Sequence, residues 1–294
     1  MKRFLQIILT IILAVAAYSY EVFDFASEAH QAVLPPQGQL EVKLLDVGHG
    51  DAILLRTAAA AILVDTGDYK HSELLVRRLK NLGVTKLDAL IITHHHLDHL
   101  GGAIKVLQNF DVQNFYDNGI TNSQSAISQE LVKMAVSGKL RRQVLRDGAK
   151  LQFGDDLKLK FLAPALKRRF PEKDLNNNSL VFKLQYGDFS MLFTGDIEAK
   201  AEHALVKHYS SELHSTVLKV PHHGSGTSST YNFLQAVQPG LALISCGEKE
   251  KYNHPNTKVL GTFQHLQIPV KFTSRDGEIT LWTDGGKYHI VTEK

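Results

Sequence analysis

The sequence predicts an α/β fold in which a mixed sheet, or two sheets, is flanked by helices. Early apolar segments predict short strands joined by tight turns, and later strands alternate with helical segments. With 294 residues, 44% of them apolar, the chain can bury the core of one large domain or of two small ones. The 33 Lys and Arg residues nearly balance the 30 Asp and Glu residues, so bulk charge only slightly favours anionic partners.

The N-terminal segment has the features of an export signal. Lys2 and Arg3 form a charged start, residues 4–17 form an apolar run, and Ala14-Val15-Ala16 matches the small-x-small pattern that precedes a cleavage site. The run is slightly shorter than the roughly 20 residues that a membrane span needs. We therefore expect either a cleaved signal peptide or a retained signal anchor.

These features divide the chain into three parts. Residues 1–20 are expected to be the signal peptide or signal anchor, residues 21–38 a linker, and residues 39–294 the folded domain. The protein is then exported, and it is either extracellular or anchored to the outer face of the cytoplasmic membrane.

From residue 40 onward, the periodicity of apolar residues predicts the elements in order. Short apolar runs bounded by glycine or small residues predict strands, and apolar positions three or four residues apart predict helices. The helix near 71–82 ends at Gly83, and Pro255 suits the first turn of the last helix. Strands are expected near 40–44, 53–55, 62–64, 87–92, 157–162, 179–186, 189–194, 216–220, 240–245, 268–273 and 277–283. Helices are expected near 71–82, 125–137, 197–209, 228–237 and 255–265.

The segment Thr93-His94-His95-His96-Leu97-Asp98-His99 carries the strongest functional signal. It follows a predicted apolar strand, and a strand that ends in a ligand-rich turn can hold a metal rigidly at a sheet edge. The spacing H-x-H-x-D-H lets His94 and His96 reach one metal while Asp98 and His99 reach a second. Two metals about 3.5–4 Å apart can activate water and stabilise both the attacking and the leaving oxygen.

Three further strand ends carry carboxylate or imidazole groups. Asp65 follows one apolar run, Asp196 follows another in Thr194-Gly195-Asp196, and His222-His223 follow a third. Alone, each has an ordinary interpretation, because T-G-D is a common turn and an exposed His pair often has no role. Together with the histidine-rich turn, they predict a shared metal site.

These motifs, in this order, resemble those of the metallo-β-lactamase-fold hydrolases. Within that superfamily the sequence is similar to the hydrolase domain of ComEC competence proteins and to free-standing exported relatives, over about residues 40–285. The resemblance implies an αββα sandwich of four layers, with two sheets inside, helices outside and the site at one sheet edge. It rests on Leu45-Asp46-Val47-Gly48-His49-Gly50-Asp51-Ala52, Asp65-Thr66-Gly67, the His94–Gly102 turn, Asn176-Asn177-Asn178-Ser179-Leu180-Val181, Thr194-Gly195-Asp196, His222-His223-Gly224-Ser225 and Tyr252-Asn253-His254-Pro255.

The resemblance also implies a site for two divalent metal ions. His94 and His96 would bind the first ion, Asp98 and His99 would bind the second, and Asp196 would bridge both. One of His222 and His223 would complete the second site. The superfamily often places this ligand directly before a glycine, which favours His223; His222 would then face the substrate phosphate or support the ligands.

Three more residues receive implied roles beside the metals. Asp65 is expected to orient the histidine turn, and Asn178 to support the site or contact substrate. His254 would contact phosphate or protonate the leaving group. It is equally well explained as a residue that merely precedes a helix.

The sequence departs from the family pattern at two places. Many superfamily members supply a third histidine to the first metal from the segment before T-G-D, where this chain and the ComEC-like subgroup have asparagines, here Asn176–Asn178. We therefore expect a weaker, more open first site and ions of Zn²⁺ or Mn²⁺, because fewer imidazoles weaken the case for zinc. The subgroup usually has Gln at the position of His49, to which we assign no metal.

The implied chemistry is hydrolysis of a phosphodiester by metal-activated water, with Asp98 or Asp196 accepting the water proton. DNA is the leading substrate, so we expect an exported phosphodiesterase or nuclease linked to DNA uptake. The sequence itself adds only short basic clusters, which more often form a solvated face than a nucleic-acid site. They are Arg77-Arg78, Arg141-Arg142 with Arg146, and Lys167-Arg168-Arg169.

Two other functions stay open. An esterase could remove a phosphorylated headgroup, such as phosphorylcholine, from envelope polymers. A non-catalytic module that binds DNA or wall polymer is the alternative from another class, and the complete histidine turn argues against it. The expected partners are a phosphodiester substrate, with DNA foremost, and a membrane contacted through the N-terminal segment, and the chain is expected to be a monomer.

Overall fold

The computed structural model describes residues 35–165, 170–248 and 252–294. The signal segment predicted at 1–20 and most of the linker predicted at 21–38 lie outside the described residues, so both stay predictions. Within the described ranges, none of the helices combines the length and the apolar character needed to cross a lipid bilayer.

Seventeen strands and eight α-helices make up the described part of the chain. The strands are β1 Leu40–Leu44, β2 Ile53–Arg56, β3 Ala61–Val64, β4 Lys86–Leu87, β5 Ala89–Ile91, β6 Asp111–Val112, β7 Phe115–Asp117, β8 Arg142–Val144, β9 Lys150–Phe153, β10 Leu157–Ala163, β11 Val181–Tyr186, β12 Phe189–Phe193, β13 Val217–Lys219, β14 Leu241–Ile244, β15 Val270–Phe272, β16 Ile279–Thr283 and β17 Tyr288–Thr292. The helices are α1 Ser72–Asn81, α2 Leu97–Leu100, α3 Ala103–Asn109, α4 Ala126–Val136, α5 Ala199–Leu213, α6 Tyr231–Val237, α7 Thr257–His265 and α8 Thr273–Asp276. Short 3-10 segments lie at Tyr69–His71, Asn176–Asn178 and Pro221–Gly224.

The strands form two large sheets and a two-stranded ribbon. The first sheet has the order β17-β16-β1-β2-β3-β5-β7-β8, the second has the order β15-β14-β13-β12-β11-β10-β9, and β4 pairs with β6. Side chains that alternate along the strands fill the space between the sheets, because successive residues of a strand point to opposite faces. Phe161, Phe182 and Phe193 pack there with ring centroids 5.0 and 4.7 Å apart.

Helices cover the outer face of each sheet. Leu75 of α1, Val106 of α3 and Leu131 of α4 pack on the first sheet. Leu205 of α5 and Phe263 of α7 pack on the second. The result is four layers in the order helix, sheet, sheet, helix, so the predicted αββα sandwich is confirmed.

The structure also contains elements that the periodicity did not predict. Strands β7 and β8 have three residues each, too few for an alternation to be recognised. Strands β9 and β17 lie at sheet edges, where only one face is partly buried. The strand predicted at 87–92 is divided into β4, which pairs with β6, and β5, which pairs with β3 and β7.

Each sheet changes from antiparallel to parallel pairing at one strand. In the first sheet this strand is β3, which is antiparallel to β2 and parallel to β5. In the second sheet it is β12, which is antiparallel to β11 and parallel to β13. Parallel neighbours end at the same sheet edge, so the loops after β3 and β5 start together, as do those after β12 and β13.

Candidate metal centre

The loops that follow β3, β5, β12 and β13 carry most of the predicted site residues. Asp65 follows β3, and the histidine turn follows β5 and runs into α2. Asp196 follows β12, and His222-His223 follow β13. Asp65, His222 and His223 have left-handed backbone angles, with φ of 59°, 52° and 53°. Such conformations are costly for residues with a side chain and cluster at functional sites.

Four side chains form a buried cluster that we call the inner group: Asp98, His99, Asp196 and His223. Their candidate ligand atoms all lie within 4.8 Å of one another. His99 Nε2 is 3.2 Å from Asp196 Oδ1, and His223 Nε2 is 3.4 Å from Asp98 Oδ2 and 3.5 Å from Asp196 Oδ2. Imidazole nitrogens and carboxylate oxygens in such a cluster are the donor set of a zinc- or manganese-type site.

Three histidines surround the other side of Asp196, and we call them the outer group: His94, His96 and His222. The Nε2 atoms of His94 and His222 are each 3.9 Å from Asp196 Oδ2. His94 Nε2 is 3.0 Å from His96 Nδ1. Asp196 thus lies between the two groups, which is the position that the bridging role predicted for it requires.

The inner group fits a cation. His99 Nε2, His223 Nε2 and Asp196 Oδ1 are buried and have no hydrogen-bond partner among the described residues. A buried polar atom without a partner is costly, and such atoms in native structures call for an explanation. Since all three point into one cluster, a divalent ion held by this group would satisfy them together.

The charges of the inner group also fit a bound cation. Burial opposes ionisation of Asp196, but the neighbouring His99 and His223 overcome it and hold the pKa of this carboxyl well below its usual range. Burial likewise opposes protonation of His223, yet Asp196 and Asp98 raise the pKa of this imidazole to about 10. The two carboxylates therefore stay ionised, and a divalent cation would take the place of the protons that they hold on His99 and His223.

The outer group differs in its protonation. Burial, helped by the charge of His99, lowers the pKa of His94 well below its usual range. Burial also lowers the pKa values of His96 and His222. These rings are therefore neutral, which is the form of imidazole that binds metals.

Hydrogen bonds at Nδ1 orient the rings of the inner group. His99 Nδ1 is 2.8 Å from Asp65 Oδ2, and Asp65 also accepts hydrogen bonds from the backbone and hydroxyl of Thr93. His223 Nδ1 donates to the carbonyl oxygen of Ser245 at 2.9 Å. Because Nδ1 is used in both rings, Nε2 faces the cluster, an arrangement typical of metal-binding histidines.

A buried ion pair lies directly behind His223. Lys219 Nζ is 2.7 Å from Asp51 Oδ2, and both side chains are almost fully buried. Asp51 also belongs to a second cluster of possible ligands, with Asp65 and His99. Lys219 pairs with Asp51 Oδ2 and hydrogen bonds engage Asp65, while Asp51 Oδ1 is buried without a hydrogen-bond partner among the described residues and lies 3.6 Å from His223 Nδ1.

The three asparagines that replace the missing histidine have separate contacts. Asn176 lines the cavity beside the outer group, and its Oδ1 is buried without a hydrogen-bond partner among the described residues. Asn177 binds Glu198 through its side chain, with Asn177 Nδ2 3.2 Å from Glu198 Oε2 and Asn177 Oδ1 accepting from the Glu198 backbone at 3.0 Å. Asn178 is fully buried and its amide donates to the carbonyl groups of residues 170, 171 and 174. It therefore holds a loop and does not line the site.

Glu198 connects the asparagine segment to the outer group. Its Oε1 accepts a hydrogen bond from Thr227 Oγ1 at 3.0 Å and lies 3.6 Å from His222 Nδ1. Thr227 Oγ1 also lies 3.3 Å from His222 Nδ1. These contacts occupy Nδ1 of His222 and leave its Nε2 directed at Asp196.

A cavity of about 480 Å³ opens over both groups. Asp98, Asp196 and His222 reach it, and His49, Tyr252 and His254 line one wall. His49 Nε2 is 3.3 Å from Asp98 Oδ2, and the Tyr252 ring is 53% exposed. Helix α7 begins at Thr257 after an N-cap on Asn256, so the start of this helix does not depend on the side chain of His254.

Sequence reasoning did not find several supporting residues. Lys219 interrupts an apolar strand, and a lysine at such a position signals a buried charged partner. Glu198 gave no signal, because its contacts come from residues distant in sequence. His95, the middle histidine of the turn, points away from the cavity and binds Ser128 Oγ at 2.7 Å and Asp117 Oδ2 at 3.0 Å. It ties the turn to α4 and β7.

Comparison with known proteins gives a consistent result. A family model described as the metallo-beta-lactamase superfamily matches residues 45–248. ComE operon protein 3 of Bacillus subtilis is 30% identical over 258 residues, which cover 81% of this chain and 32% of that protein. Competence protein ComA of Neisseria gonorrhoeae is 32% identical over 258 residues, which cover 87% of this chain and 34% of that protein. The chain therefore spans about a third of the length of these relatives.

A solved structure supports the fold alone. The metallo-beta-lactamase fold protein YhfI from Bacillus subtilis superposes with a TM-score of 0.52 at 12% sequence identity. The superposition covers 79% of this chain and 96% of that chain. Identity at this level carries no information about substrate, because one fold hosts many chemistries.

Proposed function

The chain belongs to the metallo-β-lactamase superfamily, and we propose that it is a metal-dependent phosphodiesterase that acts as a nuclease. The observation that carries this proposal is the convergence of Asp98, His99, Asp196 and His223 within 4.8 Å, with buried nitrogen and oxygen atoms that lack partners among the described residues. Divalent ions held there and by the outer group would activate water and neutralise phosphate oxygens.

The residues around the cavity have distinct parts in this proposal. Asp98 and Asp196 would hold the ions, and one of these two carboxylates would accept the proton of the attacking water. His222 and Ser225 border the cavity where a substrate phosphate would lie. His254, whose ring centroid lies 5.7 Å from that of His222, would donate a proton to the leaving oxygen.

Export and a role in DNA uptake are the wider part of the proposal. They are supported by the charged and apolar pattern of residues 1–17 and by the relative from Neisseria gonorrhoeae, whose name refers to competence. We propose that the monomeric protein acts outside the cytoplasm or on the outer face of the membrane. Recovery of the unprocessed protein wholly in the cytosol would contradict this.

The esterase alternative is less well supported by the cavity. Recognition of a quaternary ammonium headgroup uses several aromatic faces. Among the described residues that line the cavity, Tyr252 is the one aromatic residue besides the histidines. The non-catalytic alternative is disfavoured because the ligand-forming side chains of both groups are present and directed at one centre.

One experiment tests the choice between these functions. The purified full-length chain is loaded with Mn²⁺ or Zn²⁺ and given bis(p-nitrophenyl) phosphate, single-stranded DNA, double-stranded DNA and p-nitrophenylphosphorylcholine. We expect metal-dependent cleavage of the diester and of DNA, and little cleavage of the phosphorylcholine ester. Preferred cleavage of that ester would favour the esterase, and no cleavage of any substrate by the loaded protein would refute the enzyme proposal.

A matched pair of variants completes the test. Asp98→Ala removes an inner-group carboxylate and should abolish cleavage. Asp188→Ala removes an exposed carboxylate from the turn between β11 and β12 and should leave it unchanged. Equal activity of the two variants would show that the cleavage does not come from this site.

A further inference from the structure

A row of lysines crosses the outer face of the second sheet. Lys160 on β10 is directly opposite Lys150 on β9 and directly opposite Lys183 on β11. Lys158 lies two residues before Lys160 on the same strand, so it points to the same face. Four ammonium groups from three neighbouring strands therefore share one surface, which we call the lysine face.

This arrangement works against the stability of the sheet. Like charges directly opposite each other on neighbouring strands are destabilising. Burial lowers the pKa of Lys183; the carboxylate of Glu212 opposes this shift, and the ammonium group of Lys160 adds to it. Lys160 and Lys183 have compensating contacts, because Lys160 pairs with Glu212 and Lys183 donates to backbone carbonyl groups, whereas Lys150 and Lys158 are exposed.

The lysine face forms one side of a groove of about 550 Å³. Helix α5 covers the outward side of β11 at Val181, which is fully buried, and leaves Lys183 and Gln185 partly exposed. The end of α5 borders the groove with Glu212, which pairs with Lys160. Among the described residues that line the groove, four are lysines and Glu212 is the one carboxylate, so the groove carries a clear excess of positive charge.

Of the described arginines in the clusters noted from the sequence, three are engaged by other groups. Arg78 pairs with Glu278, and Arg142 makes two hydrogen bonds to Asp117 at 2.8 and 3.1 Å. Arg146 donates to the backbone of Asn118 at 2.9 Å. Residues 167–169 lie outside the described residues. The alternation in Lys158-Leu159-Lys160 is the sequence signal that was overlooked, because it resembles an ordinary half-exposed strand.

We propose that the lysine face binds the phosphate backbone of a nucleic-acid strand. Lysines act as mobile point charges and recognise phosphates without reading bases. The groove is open and elongated across three strands, which suits a polymer better than a small anion. It is recessed beside α5, which suits a single strand better than a flat membrane. The positive charge of the surface is independent of the proposed function. The choice of nucleic acid as its occupant rests on that function.

The test compares two variants with the same change in charge. In the first, Lys150, Lys158 and Lys160 are replaced by Gln, while Lys183 is kept because its Nζ hydrogen-bonds the backbone of residues 212 and 214. In the control, the exposed lysines of the opposite helical layer and its following loop are replaced by Gln. They are Lys80, Lys133 and Lys139.

Binding is measured by fluorescence anisotropy with a labelled single-stranded phosphorothioate oligonucleotide, which keeps the backbone charge and resists cleavage. Each phosphate contact contributes about 0.7 to the salt dependence of log K for a single strand, so loss of three contacts should lower the slope by about 2. At about 50 mM salt, affinity should fall at least about tenfold. The control variant should bind like the unmodified protein.

Two parallel measurements separate the possible outcomes. Hydrolysis of bis(p-nitrophenyl) phosphate should be equal in all three proteins, because the small diester needs no contact with the lysine face. If hydrolysis is absent in all three while oligonucleotide binding still depends on the lysines, the proposed function fails and the binding surface stands. If hydrolysis is present and both triple variants bind DNA equally well, the surface proposal is overturned.

Binding of the same proteins to anionic vesicles of phosphatidylglycerol is the remaining measurement. If the lysine variant loses vesicle binding and keeps DNA binding, the occupant is a membrane and the nucleic-acid proposal is wrong. If the triple variant does not fold, the single reversal Lys158→Glu serves instead, since Lys158 is exposed and its replacement leaves the core intact. It should weaken DNA binding more than Lys139→Glu, and an equal effect would overturn the proposal.

Discussion

The inner and outer groups of the metal centre share Asp196 but are supported in different ways. The inner group is fixed by the framework of the sheets: Asp65 after β3 orients His99, and the backbone after β14 orients His223. The outer group depends on side chains from loops, since Glu198 and Thr227 hold His222. The inner rings are fully buried, whereas His222 is about one-fifth exposed.

This difference indicates how a site that lacks one histidine can still be assembled. Ligands fixed by buried strand ends have little freedom to lose on binding, so the inner group is preorganised for an ion. Ligands held by a network of loop side chains can adjust when substrate enters. We therefore expect the inner group to bind its ion more tightly and the outer group to vary in occupancy.

Removal of the shared carboxylate should have the largest effect. Asp196→Ala takes a ligand from both groups and leaves several imidazoles without their negative partner. Activity on a phosphodiester should fall by about 1000-fold or more, comparable to the loss of a main electrostatic element of an active site. Metal analysis after dialysis should find both ions depleted, and Asp188→Ala should retain them. Full retention of either ion by Asp196→Ala would contradict the bridging position.

Variants of the adjacent residues His222 and His223 should distinguish the outer group from the inner group. His223→Ala should remove the inner ion and lower the rate by about 100-fold or more. His222→Ala should retain the inner ion, lose part of the outer one, and recover activity when excess metal is added. Metal stoichiometry and the metal dependence of the rate measure both effects. Equal ion loss from the two variants would mean that the groups are not distinct.

The sequence predicted the members of both groups, but it predicted a supporting residue, Asp65, for the inner group alone. Asp65 directly follows β3, Asp196 follows β12 after two residues, and the histidine turn that carries Asp98 and His99 follows β5, so strand geometry brings all four to one edge. The order of strands and helices along the chain also predicted the sandwich. Long strands such as β10 and β11 contributed to this prediction, because buried and more exposed residues alternate along them.

Support for the outer group could not be predicted in this way. The contact between Asn177 and Glu198 joins residues 21 positions apart, and neither residue type is distinctive in a loop. The lysine face was missed for a related reason. Its members alternate with apolar residues on separate strands, and only the register of β9, β10 and β11 places them side by side.

Changes to the loop residues that hold His222 should have a smaller effect on activity. Glu198→Gln keeps the size of the side chain and removes its charge, so His222 should be less well oriented. Loss of such a supporting contact typically costs about 10–100-fold in metal affinity or activity. We expect a loss of about 10-fold, measured as a higher metal concentration for half-maximal activity. Asn177→Ala should have a similar effect, and the double variant should be no worse than Glu198→Gln. Additive losses would show that the two residues act separately.

The rim of the inner group should be the most tolerant part of the centre. His49 Nε2 lies 3.3 Å from Asp98 Oδ2, and both side chains are about one-fifth exposed. His49→Gln retains a donor that can reach the carboxylate, so activity and inner-ion affinity should change by less than about threefold. His49→Ala removes the donor, and a hydrogen bond of about 1 kcal/mol corresponds to a loss of about fivefold. If His49→Ala instead lowered activity as much as His223→Ala does, His49 would be a ligand of the inner ion and not a residue of its rim.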